Sequence, residues 1–114
     1  MSTKFATIVA AAAIIAAGTV PAICGAAASP HEIRFQNHRF APQTLSVPAN
    51  QPLTIKVTNA SAETIEFESF KLNREIAMTP GEAITVHLPA LDPGNYDFYD
   101  DFHQDVPQGS IVAK

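Results

Sequence analysis

The chain of 114 residues carries 7 Lys and Arg against 11 Asp and Glu, a formal net charge of −4, and 1 Cys, at position 24. An acidic balance of this kind disfavours nucleic acid and anionic lipid as partners, and it favours cations or basic proteins. The length is sufficient for one small domain with a single hydrophobic core.

The N-terminal segment has the layout of a secretory signal peptide. Lys4 precedes an apolar run over 6–17, and small residues then offer a cleavage site. The run is shorter than the roughly 20 residues of a spanning helix, although a retained N-terminal anchor is the alternative. Lipidation of Cys24 is disfavoured because a large residue, not a small one, precedes it. We predict a signal peptide at 1–28, a mature domain at 29–114, and export to the periplasm.

The segment after residue 28 has the pattern of an all-β domain. Apolar and polar residues alternate, as in strands with one buried face, over 45–47, 53–57, 84–88 and 96–98. Clusters of Pro, Gly, Asn and Asp between these stretches predict turns. Two further strands are predicted at 65–68 and 109–114, and no stretch has a helical period of useful length. The pattern predicts a Greek-key β-sandwich of about seven strands.

Metal-ligand side chains crowd into one segment near the C-terminus. They are Asp97, Asp100, Asp101, His103 and Asp105. Carboxylates this close repel one another, which raises their proton affinity unless a cation relieves the repulsion. We therefore predict a cation site, with a solvated acidic loop as the alternative.

Several phrases occur in the order typical of cupredoxin-like domains, and this resemblance covers nearly the whole predicted mature chain. The phrases are Phe40-Ala41-Pro42, LSVPA at 45–49, VTN at 57–59, Pro80-Gly81 and LDPGNYDF at 91–98. Segments 66–68 and 72–75 are also similar to periplasmic proteins of bacterial iron uptake. These proteins are the cupredoxin component of Ftr-type ferrous iron transporters and the N-terminal domain of Efe-type periplasmic proteins. The resemblance implies binding of iron ahead of an inner-membrane permease and leaves open whether the iron is also oxidised.

The predicted mature chain departs from a blue-copper protein in its ligand types. A blue-copper site needs a Cys thiolate and two imidazoles, usually with a weak Met, and no Cys follows position 24. Carboxylates stand both in the loop after 96–98 and near Glu66, where a copper-binding His would be expected. An electron-transfer copper protein is therefore disfavoured.

The remaining possibility is a site of hard ligands at one end of the sandwich. In a cupredoxin sandwich the loop after 96–98 lies at the same end as the start of the strand 66–68. The predicted metal ligands are Glu66, Glu68, Asp101 and His103 as first choices, with Asp97, Asp100 and Glu75 as second choices. Carboxylates with one imidazole suit iron, ferrous or ferric, with copper as the second candidate.

Each of these residues also has a simpler interpretation. Glu66 and Glu68 could form the solvated face of a strand, and Arg74 could either pair with Glu75 or neutralise the two strand carboxylates. The other histidines, His31, His38 and His87, are interpreted as surface residues, and Glu63 is interpreted as an inert position.

The predicted partner is an inner-membrane iron permease or another periplasmic iron-uptake subunit, and no nucleic acid. A homodimer and an enzymatic role in iron oxidation are both left open by the sequence. The alternative function is a non-catalytic sandwich whose acidic end docks on a periplasmic or membrane partner.

Overall fold

The computed structural model describes Gly18 and residues 31–114, and all regular structure in residues 31–114 is β-strand. The strands are β1 His31–Gln36, β2 Arg39–Ala41, β3 Thr44–Val47, β4 Leu53–Asn59, β5 Ile65–Ser69, β6 Arg74–Met78, β7 Ala83–Leu88, β8 Gly94–Asp100 and β9 Gly109–Ala113. The predicted signal peptide at 1–28 lies outside the described residues, apart from Gly18. No helix long and apolar enough to cross a membrane occurs in the described part of the chain.

The strands form two sheets, with the orders β2-β1-β4-β7 and β3-β9-β8-β5-β6. Strand β1 pairs in parallel with β4, and β3 pairs in parallel with β9, while the other paired strands are antiparallel. The prediction of an all-β sandwich is confirmed, with nine strands in residues 31–114 where about seven were predicted.

The core lies between the sheets because the strands alternate buried and exposed side chains. In β4, for example, Ile55 and Val57 are buried while Lys56 between them is partly exposed, as expected when successive side chains point to opposite faces. Aromatic rings fill the centre: the ring centroid of Phe98 lies 5.1 Å from that of Phe40 and 5.2 Å from that of Phe67. This packing fixes the position of β5 relative to β8.

A two-residue turn joins β1 to β2. Its residues Asn37 and His38 have φ angles of 54° and 58°, and Gln36 pairs with Arg39 across the hairpin. Positive φ at both central residues is the geometry of a type I′ turn, whose twist matches that of the flanking strands, and Asn is favoured there. The turn therefore holds His38 at the end of the hairpin.

The loop after β4 is organised by Asn59, which is fully buried. The amide of Asn59 donates to the carbonyl oxygens of Glu63 at 2.7 Å, Met78 at 3.1 Å and Thr79 at 3.2 Å. The side-chain oxygen of Asn59 accepts from the Ser61 N–H at 3.1 Å and from the Ser61 hydroxyl at 2.6 Å. These bonds fix the backbone of the loop that carries Glu63.

Candidate metal centre

A group of three carboxylates lies on the face of the second sheet opposite the aromatic core. Glu66 and Glu68 are two residues apart on β5, and Asp101 directly follows β8, whose Tyr99 pairs with Glu68. The Asp101 N–H donates to the Glu66 carbonyl at 3.1 Å, which continues the pairing. One oxygen from each carboxylate lies within 4.8 Å of the other two. We call these three residues the carboxylate group.

Glu66 is the carboxylate whose environment is most unusual. The residue is 7% exposed. Its pKa is raised from 4.5 to about 7, first by a hydrogen bond shared with Glu75, then by burial, and then by the charges of Glu75, Asp101 and Glu68. Glu75 stands opposite Glu68 in the β5–β6 pair, so its carboxylate adds to the same negative field. A cation bound here would relieve this repulsion.

No basic side chain of residues 31–114 forms an ion pair with the carboxylate group. Arg74 instead donates to the carbonyl oxygens of Leu72 at 3.2 Å, Asn73 at 3.1 Å and His87 at 2.9 Å. The sequence interpretation of Arg74 was either an ion pair with Glu75 or neutralisation of Glu66 and Glu68. The structure shows neither, because Arg74 contacts backbone carbonyl oxygens instead. Within residues 31–114, the negative charge of the group is therefore not paired with a basic side chain.

Tyr99 borders the carboxylate group on β8. Burial raises the pKa of its hydroxyl, and the neighbouring charge of Glu68, together with a hydrogen bond to it, raises that pKa further. The hydroxyl therefore remains protonated at neutral pH and is available as a hydrogen-bond donor to Glu68.

Asp100, the residue before Asp101, faces the opposite side of β8 and is fully buried. One of its oxygens accepts from the backbone N–H groups of Glu66 at 2.9 Å and Phe102 at 3.1 Å. The other oxygen lies 2.7 Å from Nδ1 of His103. This contact is the main reason why the pKa of His103 is raised. Asp100 therefore holds backbone and imidazole in place.

The structure divides the predicted ligands into different places. Glu66, Glu68 and Asp101 come together, with Glu75 beside them. His103 and Asp100 lie next to each other in a separate group. Asp97 is exposed and lines a surface groove together with Phe70, Lys71 and Tyr99.

Two residues that the sequence did not single out as ligands lie beside His103. A carboxylate oxygen of Glu63 lies 3.8 Å from Nε2 of His103 and 3.9 Å from Nδ1 of His38. The interpretation of Glu63 as inert does not include these contacts, and the side chain of His38, interpreted as a surface residue, is 45% exposed. The tight Asn37-His38 turn is the one sequence signal that could have placed His38 at an end of the sandwich.

Comparison with known proteins agrees with the described architecture. An uncharacterized protein of Rickettsia prowazekii (strain Madrid E) is 38% identical over 82 residues, which cover 72% of this chain and 66% of that protein. The chain thus spans slightly less than two thirds of that relative.

Two solved structures with similar folds have low sequence identity to the chain. Auracyanin from Roseiflexus castenholzii is 17% identical with a TM-score of 0.63, covering 75% of this chain and 96% of its own. Auracyanin A of Chloroflexus aurantiacus, described as a "blue" copper protein, is 19% identical with a TM-score of 0.59, covering 73% and 96%. At this level of identity the likeness concerns the fold. The model of the cupredoxin-like domain matches residues 5–113, and the chain belongs to that family.

Proposed function

We propose that the chain is an exported metal-binding protein that holds iron at the carboxylate group and delivers it to an inner-membrane permease or another iron-uptake subunit. The observation that carries the proposal is the meeting of Glu66, Glu68 and Asp101 oxygens within 4.8 Å of one another. Glu66 is almost completely buried and has no basic partner among residues 31–114, which supports the proposal because a cation would supply the missing positive charge.

The three carboxylates suit the hard ferric ion and lack the thiolate of a blue-copper site. Carboxylate oxygens are hard ligands, which suit iron better than the soft thiolate ligands of blue copper do. Negative ligands stabilise the ferric ion more than the ferrous ion. A bound ferrous ion would therefore give one electron to dioxygen more readily than a free one. Copper is the second candidate metal, since copper is what the similar fold of auracyanin A carries.

Metal titration of the full, untagged chain tests the proposal. We expect anaerobic ferrous iron, and ferric iron after air exposure, to raise the melting temperature, because binding only the folded state stabilises it. Glu66→Gln, Glu68→Gln and Asp101→Asn should each weaken iron binding at least about tenfold.

Asp92→Asn is the matched control, because Asp92 is exposed and lies outside the group. Glu63 does not serve as a control, because its carboxylate contacts both His38 and His103. Equal iron binding in all four variants, or none in the parent chain, would contradict the site.

A second function is favoured by exposed aromatic residues. Phe70 is 80% exposed and Phe102 is 52% exposed, and large exposed side chains of this kind occur at protein interfaces. The alternative is a docking module without a metal role. The docking function predicts that Phe70→Ser weakens partner binding while iron does not change the melting temperature.

A further inference from the structure

A groove of about 530 Å³ lies beside the carboxylate group, on the same face of the second sheet. Two aromatic residues form its apolar part, Phe70 directly after β5 and Tyr99 on β8. The polar residues that line it are Lys71, Asp97, Gln104 and Gln108. Ligand pockets in proteins measure about 300–1,000 Å³, so the groove has the size of a binding site. We call it the aromatic groove.

The exposure of Phe70 has no role in the packing of the core. The residue is 80% exposed, so most of its apolar surface stays in water when the chain folds. The ring centroid of Tyr99 lies 6.3 Å from that of Phe70 at an interplanar angle of 34°, and the two rings therefore form one apolar patch. Exposed apolar patches with a polar rim mark binding surfaces, and aromatic side chains are enriched at the centre of protein interfaces. The patch therefore points to a protein partner.

The charge around the aromatic groove is negative. Asp97 lines the groove and forms no ion pair within residues 31–114. Lys71, the basic residue of the lining, donates from Nζ to the Asn95 carbonyl oxygen at 2.9 Å. Tyr99 pairs with Glu68 across the neighbouring strands, so the carboxylate group borders the groove and adds its charge. A positively charged side chain is therefore the complement of this surface.

We propose that the aromatic groove binds a segment of a partner protein that presents an arginine or lysine side chain beside an apolar one. A guanidinium or ammonium within about 6 Å of an aromatic ring centroid is attracted to the face of the ring, and Asp97 supplies a carboxylate to pair with it. The apolar side chain of the segment covers the exposed ring of Phe70. An acidic segment would meet like charges from Asp97 and the carboxylate group, which costs binding free energy. The inference rests on the docking part of the proposed function and requires no bound iron.

Nuclear magnetic resonance titration of the full, untagged, metal-free chain with short peptides tests the proposal. The probe is a hexapeptide that alternates arginine and leucine, and two comparison peptides carry glutamate or serine in place of arginine. We expect the arginine peptide to bind at least about fivefold more tightly than either comparison peptide. It should also shift the backbone amide signals of Phe70, Asp97 and Tyr99.

Substitutions with matched controls test whether the peptide lies in the groove. Phe70→Ser should weaken binding of the arginine peptide at least about fivefold, while Phe102→Ser, at an exposed phenylalanine outside the lining, should change it less than about twofold. Asp97→Asn should weaken binding at least about threefold, while Asp92→Asn removes the same charge from an exposed position outside the groove and should not. Lys71→Gln should strengthen binding at least about twofold, because it removes a positive charge from the lining. A gain of affinity does not arise from failure of the variant to fold.

The outcomes separate this inference from the functions on which it rests. Equal binding of the arginine peptide by Phe70→Ser and Phe102→Ser would overturn the aromatic groove as its site. Loss of binding in Glu66→Gln, with parent-like binding in Asp97→Asn, would place the arginine at the carboxylate group and also overturn it. Tighter binding of the glutamate or serine peptide in the groove would keep the docking function and overturn the basic partner. Absence of binding by all three peptides would overturn the inference and leave iron binding at the carboxylate group unaffected.

Discussion

At the level of single residues, Asp100 links the backbone of Glu66 to the ring of His103. Its carboxylate accepts from the Glu66 N–H on one oxygen and contacts the His103 ring with the other. A buried carboxylate with these partners is well satisfied. Asp100 therefore orients the ring of His103. The next residue, Asp101, belongs to the carboxylate group. Sequence reasoning could place both in one acidic segment, but only the strand pairing decides which way each one faces.

The raised pKa of Glu66 makes folding stability depend on pH. Below its ordinary value of 4.5 the group is protonated whether the chain is folded or not. Between 4.5 and about 7 the unfolded chain loses this proton while the folded chain keeps it. The unfolded state then binds fewer protons, so the contribution of Glu66 to stability is lost as pH rises through this window.

We expect the metal-free chain to become less stable between pH 5 and pH 8, measured by urea denaturation at both values. Glu66→Gln should reduce this loss, because the amide does not ionise. The exposed Asp92→Asn should keep the pH dependence of the parent chain. If Glu66→Gln loses as much stability between pH 5 and pH 8 as the parent chain does, the loss does not come from ionisation of Glu66.

At the level of elements, strand boundaries were predictable where the alternation of side chains was clear. The predicted stretches 53–57 and 84–88 correspond to β4 and β7, and 96–98 lies within β8. β2 is too short for a period to be recognised, with three residues. β1 lies directly after the predicted signal peptide and was not assigned, although Ile33 and Phe35 alternate with polar residues. Pairing between distant strands leaves no periodic trace in a single sequence, so the sheet order had to come from the structure.

The pairing of β8 with β9 depends on a close approach at Gly109. This residue pairs with Phe98, and a Cβ atom at position 109 would overlap ring carbons of Phe98 and lie 3.0 Å from the Gln43 carbonyl oxygen. The Phe98 ring cannot move away easily, because Phe40 and Phe67 pack against it.

We therefore expect Gly109→Ala to lower the free energy of unfolding by about 1–3 kcal/mol through overpacking, measured by chemical denaturation. Gly94→Ala on β8 is the control, because nothing lies within 4 Å of its Cβ position. Its effect should stay within roughly 0.5 kcal/mol. Similar stability of the two variants would refute the close approach.

For the whole molecule, the family resemblance predicted the fold, and the absence of a Cys after position 24 predicted that the site differs from blue copper. The carboxylate group could be predicted because Glu66 and Glu68 share one strand and Asp101 follows a neighbouring one. The contacts of Glu63 with His38 and His103 could not be predicted, because they depend on the direction in which three separate loops turn. A histidine in a short turn gives no sequence pattern that shows which side chains it contacts.

The predicted mature domain lacks the Cys that a blue-copper site requires. We expect the Cys24→Ser chain with added Cu²⁺ to lack the intense visible absorption of a copper–thiolate centre, because only carboxylates and imidazoles remain as strong ligands. The chain that retains Cys24 is the control for thiolate binding by that residue. Strong blue absorption of the Cys24→Ser chain with Cu²⁺, measured by visible spectroscopy, would contradict this expectation.

The parallel pairing of β3 with β9 has a consequence for the order of folding. Thr44 to Val47 pair with Ser110 to Ala113, so one edge of the second sheet joins an early part of the described chain to its last strand. Contacts between residues far apart in sequence slow folding, and all-β proteins rich in them fold in milliseconds to seconds. The sandwich therefore closes only after β9 has been synthesised. Until then Val47 and Phe98, which are buried in the folded protein, remain without part of their packing partners.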